Sequence, residues 1–163
     1  MIEVIGRRVR IEHANVVPAM KNFSGTKFGS NGNQRYFFIT LDEEQAAILS
    51  DMGYNITVYE KKEFDDNGDE VIVQIPELKV KLRFDMYPPD IKTYQGAWGK
   101  AEQVINENNA DELDNLKFLD CCIAFTPYNW TNNGKSGTSP YLKTMYIIIP
   151  EPDFAHLFVE EEV

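Results

Sequence analysis

Apolar and polar residues alternate with a period of two through most of this chain, the spacing of strands with one buried face. Residues 2 to 17 read as a long strand with a polar break, Ile2, Val4, Val9 and Ile11 against Arg8, Arg10 and Glu12, closed by Pro18. Arg35 to Leu41 puts Phe37, Ile39 and Leu41 on one face and Tyr36, Phe38 and Thr40 on the other. From Leu78 the alternation sharpens: Leu78, Val80, Leu82 and Phe84 make an apolar face, Lys79, Lys81 and Arg83 a cationic one. Further strands are predicted from Tyr54 to Tyr59, from Val71 with an interruption at Pro76, from Phe118 to Phe125, and up to a stop at Pro150-Glu151-Pro152.

A helical pattern begins at Asp42, where Gln45 completes a capping box ahead of Ala46, Ala47, Ile48 and Leu49, and Gly53 ends it. A second short helix is predicted around Ala101 to Asn106, after Trp98-Gly99-Lys100. The stretches between are polar: a Gly, Asn and Ser-rich loop at 21–34 that still holds Phe23 and Phe28, a turn at Asp65-Asp66-Asn67-Gly68, and the acidic connector NENNADELDN. These elements predict a mainly β fold, a small antiparallel Greek-key barrel with one or two short helices and long loops, although a β-sandwich would give a similar string. One domain is expected over residues 1–150, with an insert at about 88–116, followed by an acidic C-terminal tail at 151–163.

Charge complicates that picture. A net charge of -10 over 163 residues argues against nucleic acid as a ligand. The distribution reverses this: Arg7, Arg8, Arg10, Lys21, Lys27 and Arg35 face only Glu3 and Glu12 in residues 1–41, and Lys135 and Lys143 face only Asp120 between Leu119 and Ile149. A charge-segregated molecule can present a positive groove on an acidic body. Cys121 and Cys122 are adjacent and alternate to opposite faces, so they cannot readily pair. His13 and His156 are the only histidines and give no zinc spacing, so no metal and no cofactor are expected. No leader opens the chain and no apolar run reaches membrane-spanning length, which predicts a cytosolic protein without membrane contact.

The candidate chemistry concentrates between Pro127 and Tyr146, where aromatic and basic side chains stand at both mouths of a polar, glycine-bearing loop. Rings stack on bases and cations pair with phosphates, so single-stranded nucleic acid is the ligand this pattern suits. Candidate stackers are Phe23, Phe28, Tyr36, Tyr128, Trp130, Tyr141 and Trp98; candidate phosphate partners are Lys21, Lys27, Arg35, Lys79, Lys81, Arg83, Lys135 and Lys143. Phe37, Phe84 and Phe125 sit in apolar alternation and are assigned to the core. Asn133-Gly134-Lys135-Ser136 has the look of a phosphate-binding loop, but Asn129 stands at its first glycine position and a strand follows it. Asp65, Asp66, Asp69 and Glu70 fall in one turn, and Ser24 and Ser136 lack a nearby histidine, so no enzyme is expected. The alternative is a β-sandwich interaction or virion protein.

The blocks Asn22-Phe23-Ser24-Gly25, Asn33-Gln34-Arg35-Tyr36-Phe37, Gly53-Tyr54-Asn55-Ile56, Pro127-Tyr128-Asn129-Trp130 and Tyr141-Leu142-Lys143-Thr144-Met145-Tyr146 resemble, in this order, the small single-stranded DNA-binding proteins of tailed bacteriophages. The resemblance implies an OB-fold, non-catalytic and sequence-tolerant binding of single-stranded DNA, and a role in phage replication or recombination, hence in the bacterial host cytoplasm; RNA as a ligand and a homo-oligomer stay open. At the tail, where Phe158 precedes Glu160, Glu161 and Glu162, the acidic end can fold back on a cationic groove and compete with DNA, or engage a partner protein.

Overall fold

The computed structural model describes residues 1–27, 34–85 and 87–151. Its first segment is three strands where one was expected: β1 (Ile2–Ile5), β2 (Arg8–Ile11) and β3 (Asn15–Val16). Gly6, at φ 59°, opens a two-residue hairpin turn between β1 and β2, and His13, at φ 55°, bends the chain before β3. Strand β4 (Arg35–Thr40) leads into α1 (Glu43–Asp51) through the expected capping box. The Gln45 N–H donates to Asp42 Oδ1 at 2.7 Å and the Asp42 N–H to Gln45 Oε1 at 3.1 Å.

Strands β5 (Thr57–Phe64) and β6 (Glu70–Leu82) form a long hairpin, and β6 runs straight through Pro76 where an interruption was predicted. The carbonyl of Pro76 accepts from the Leu41 N–H, so its missing donor also points toward β4, one residue beyond the last β4–β6 pair, and the β5 ladder loses nothing. Strands β7 (Asp90–Gln95) and β8 (Gln103–Ile105) replace the helix predicted at 101–106. Gly99 and Ala101 both hold positive φ, which a helix does not permit, and Val104 and Ile105 pair instead with Lys92 and Ile91. A short 3₁₀ turn at Ala110–Asp114 precedes β9 (Asp120–Asn132) and β10 (Lys135–Ile149).

The strands make one sheet, ordered β1-β2-β9-β10-β6-β4-β3, with β5 also on β6, β7 on β10 and β8 on β7. It is mixed and not purely antiparallel: β10 is antiparallel to β9 but parallel to β6 at Tyr141–Lys81 and to β7 from Thr144–Asp90 to Ile149–Gln95. Strands β6 and β7 follow one another along β10 in the same direction, and the crossover through β8 and β9 brings the chain back as their parallel neighbour. The buried face carries Phe37, Leu78, Val80, Phe125, Met145 and Ile147, with Leu49 of α1 packed in the same cluster. Phe37 and Phe125 are core as expected, and Phe84 packs against the cluster partly buried.

Candidate nucleic-acid interface

Strand register builds the site. Directly paired residues share a face of a sheet, and the pairs Tyr36–Lys81, Phe38–Lys79, Lys81–Tyr141, Tyr128–Ser139 and Trp130–Gly137 therefore set rings and cations on one surface, opposite the core. Two cavities open on it, of about 440 Å³ beside Tyr36, Lys79 and Lys81 and about 250 Å³ beside Tyr128, Leu142 and Lys143. Arg83 and Tyr141 line both, which makes them one groove.

The outer half of the β9–β10 hairpin is one wall. Both strands continue to a two-residue turn at Asn133-Gly134, each with positive φ, so Lys135 is the first residue of β10 and stands exposed beside the tip instead of lying within a longer loop. Trp130, 37% exposed, lies over Gly137: a Cβ there would come within 2.6 Å of Cζ2 of the indole. The glycine lets the ring lie flat on the strand, one face supported and the other open. Tyr128 meets Tyr141 edge-on at 5.3 Å and is 56% exposed.

Charge and aromatic surface interleave along the floor. The Lys79 ammonium sits 4.2 Å above the ring of Tyr36, and burial, together with neighbouring Lys81, holds its pKa below the usual lysine value. Lys81 reaches Ser139 Oγ at 3.4 Å, Lys143 lies 5.1 Å over Tyr87, and Arg83 pairs with Asp85 at 2.8 Å. Tyr36 is only 9% exposed, so it forms the floor under Lys79 and is not an open stacking platform.

Several expected site residues have other positions. Phe23 is fully buried, stacked on Phe37 at 5.2 Å and edge-on to Phe118 at 6.1 Å; it is a core residue and not a base stacker. Lys21 is buried too and donates to the carbonyls of Leu113 and Leu116, so it is withdrawn from the phosphate partners. The cause lies 91 residues away, where Asp114 of the 3₁₀ turn accepts from the Phe23 N–H at 2.7 Å and from the Ser24 N–H at 3.1 Å. Lys27 Nζ approaches the same carboxylate at 4.0 Å. Arg35 donates to the Phe23 carbonyl at 2.6 Å while lining the groove. Phe28 and the tail residues Phe158, Glu160, Glu161 and Glu162 lie outside the described residues.

A family model described as "Putative phage ssDNA-binding domain" matches residues 4–160. The chain belongs to this family. No curated protein matches it. Among solved structures it is similar to the single-stranded DNA-binding protein from bacteriophage Enc34, at 7% identity over 93% of this chain and 90% of that one, TM-score 0.46. The same Enc34 protein in complex with ssDNA is similar at 8% identity over 90% and 88%, TM-score 0.46. So is gp2.5, the single-stranded DNA-binding protein of bacteriophage T7, at 10% identity over 93% and 97%, TM-score 0.42.

In this phage ssDNA-binding domain the groove includes residues that single-sequence reading passed over. Tyr87, which lines the groove, lies in a segment that reads only as a proline-terminated stop, and Phe38, on the outer face as its alternation predicts, meets Tyr36 edge-on at 5.9 Å without having been singled out. Trp98 joins a different cluster, packed edge-on against Tyr94 at 5.5 Å, with Tyr94 edge-on to Tyr146 at 6.2 Å. The Tyr146 hydroxyl donates to Asp90 Oδ2 at 2.6 Å, which pushes its pKa up to about 12, and the Tyr94 hydroxyl donates to Glu102 at 2.9 Å. Among the described residues no group of three or more His, Cys, Asp or Glu converges as a metal site, and Asp65 accepts the N–H groups of Asn67 and Asp69 within its own turn.

Proposed function

We propose that the chain binds single-stranded DNA without reading its sequence, along the groove from Tyr36 and Lys79 to Trp130. The observation that carries this is the continuity of the two cavities through Arg83 and Tyr141, with cations and open rings on a single face. Phosphates pair with Arg35, Lys79, Lys81, Arg83, Lys135 and Lys143, while bases stack on Tyr128, Trp130, Tyr141 and Tyr87, at about 1 to 3 kcal/mol per base. Rings take any base and cations any phosphate, so such a face protects or organises a strand irrespective of sequence, as phage replication and recombination require.

The same proposal takes the sheet as an OB-like barrel. Residues 12–14 carry β2 directly into β3, so the strand that pairs with β9 at one end of the path continues into the one that pairs with β4 at the other. In that arrangement the groove falls on the second and third barrel strands and on the hairpin between the last two, the surfaces such barrels use for oligonucleotides. The barrel comprises residues 1–150, with the acidic residues after it as a separate tail for partner proteins.

Fluorescence anisotropy of labelled oligo-dT and of a duplex, across a salt series with tryptophan emission followed in parallel, tests the proposal. Tighter binding to oligo-dT, quenching of tryptophan and steep weakening with salt are expected. Absence of binding at low salt, or equal affinity for the duplex, overturns it.

A further inference from the structure

Among the described residues, two of the open strand edges, those of β1 and β5, belong to hairpins of opposite charge. Strand β1 pairs only with β2 among the described residues, at one end of the sheet path. In a two-residue hairpin the flanking pair, Ile5 and Arg8, exchanges hydrogen bonds, so the alternate pair Val4 and Val9 does not, and the backbone N–H and C=O of Val4 face outward. Val4 and Ile5 are exposed on that edge. Arg10 is engaged by Glu12 at 2.7 Å and Glu3 at 3.9 Å, whereas Arg7 and Arg8, at the hairpin tip, form no ion pair among the described residues.

The arm made by β5 and the first half of β6 is the counterpart. Every residue of β5 is exposed, and among the described residues β5 pairs only with β6. Residues 57–76 carry Glu60, Glu63, Asp65, Asp66, Asp69 and Glu70 against Lys61 and Lys62. Both lysines are taken by acids of the arm, Lys61 by Glu63 at 3.6 Å and Lys62 by Glu70 at 3.5 Å. Val58, Tyr59, Phe64 and Ile72 are exposed, Phe64 by 76%. A two-stranded ribbon with this much apolar surface gains stability from a partner. Its acidic tip repels a phosphate backbone, so the partner has to bring basic charge, apolar side chains and an open strand edge.

The N-terminal hairpin has all three, and within one chain β2, β9, β10 and β6 stand between the two edges. We infer that a second copy of this chain docks its β1 hairpin on the β5–β6 arm, head to tail. Arm-to-arm or hairpin-to-hairpin dimers would set like charges against each other. A contact between two different surfaces leaves one of each free at the ends, so copies add in an open series unless the rotation closes a ring.

Sedimentation velocity of the whole protein without DNA, at low ionic strength and rising concentration, tests the contact independently of whether the groove binds single strands. Wild type is expected to form species that grow past a dimer. Arg7→Glu with Arg8→Glu, or Asp66→Lys with Asp69→Lys, weakens this at least about tenfold, and an equimolar mixture of the two variants recovers it, because each meets opposite charge on the other. Val4→Pro, whose lost N–H faces outward and not toward β2, weakens it as well. A wild type that stays monomeric, or a mixture that fails to recover, overturns the inference.

Discussion

Two clusters of aromatic rings lie on the outer surface of this sheet, and their surroundings differ. In the groove, Lys79 sits over Tyr36, Lys143 over Tyr87, and Trp130 rests one face on Gly137. In the other cluster the hydroxyls of Tyr146 and Tyr94 are held by Asp90 and Glu102, and Lys92 is drawn to Glu102 at 3.5 Å. The first leaves cations and ring faces to a passing phosphodiester; the second ties its polar groups to carboxylates that repel one. On the proposed reading the two surfaces differ in the carboxylates beside their rings and not in aromatic content, since Lys92 also lies 5.8 Å from the Tyr146 ring.

The widest separation is expected from charge. Lys79→Glu combined with Lys81→Glu should weaken oligo-dT binding by about a hundredfold at low salt and make the log–log salt dependence shallower by about 1.4, while Lys92→Glu changes neither; anisotropy titrations decide it. Ring removal comes next: Trp130→Ala is expected to weaken binding by about 1 to 3 kcal/mol with Tm unchanged, and Trp98→Ala to leave affinity as it was. An equal loss from both would abolish the distinction between the clusters.

Asp114 sharpens the comparison with an effect of opposite sign to simple electrostatics. Removing a negative charge near a phosphate-binding surface should raise affinity, yet Asp114→Asn also loosens the hold on the Phe23 and Ser24 amides. Expected are a stability loss of about 1 to 3 kcal/mol in denaturant melts and a several-fold weaker complex. The smallest effect is in pH. Because the pKa of Lys79 is lowered in the folded protein, the unfolded chain holds more protons between that value and the usual lysine value, so stability rises with pH across this window. DNA affinity moves the other way, falling as pH rises through the lowered pKa, and Lys79→Arg should remove that slope while keeping the charge.

Much of the fold was legible in the sequence because its rules are local. The capping box at Asp42 and Gln45 joins residues three positions apart, and the alternation from Leu78 to Leu82 divides core from cations within one strand. Local rules also misled: alternation continued from 2 to 17 across Gly6, whose positive φ makes a hairpin, and 101–106 carried helix-compatible residues whose pairing partner is β7. Trp130, Tyr141, Lys79 and Lys81 were recognisable as candidates from charge and aromaticity, though nothing local showed that they share a face.

What the sequence by itself determined is the period of each strand, the helix cap and the segregation of basic from acidic stretches, all set by neighbours a few residues apart. The tertiary structure alone decided which aromatic residues meet solvent. Phe23 and Trp130 both sit among polar neighbours, but Asp114 fastens the amide of Phe23 and its ring fills the core, whereas Trp130 lies on a glycine of the facing strand, beyond the packed half of the hairpin. Burial depends on partners far along the chain, and the groove exists only where β4, β6, β9 and β10 are brought side by side.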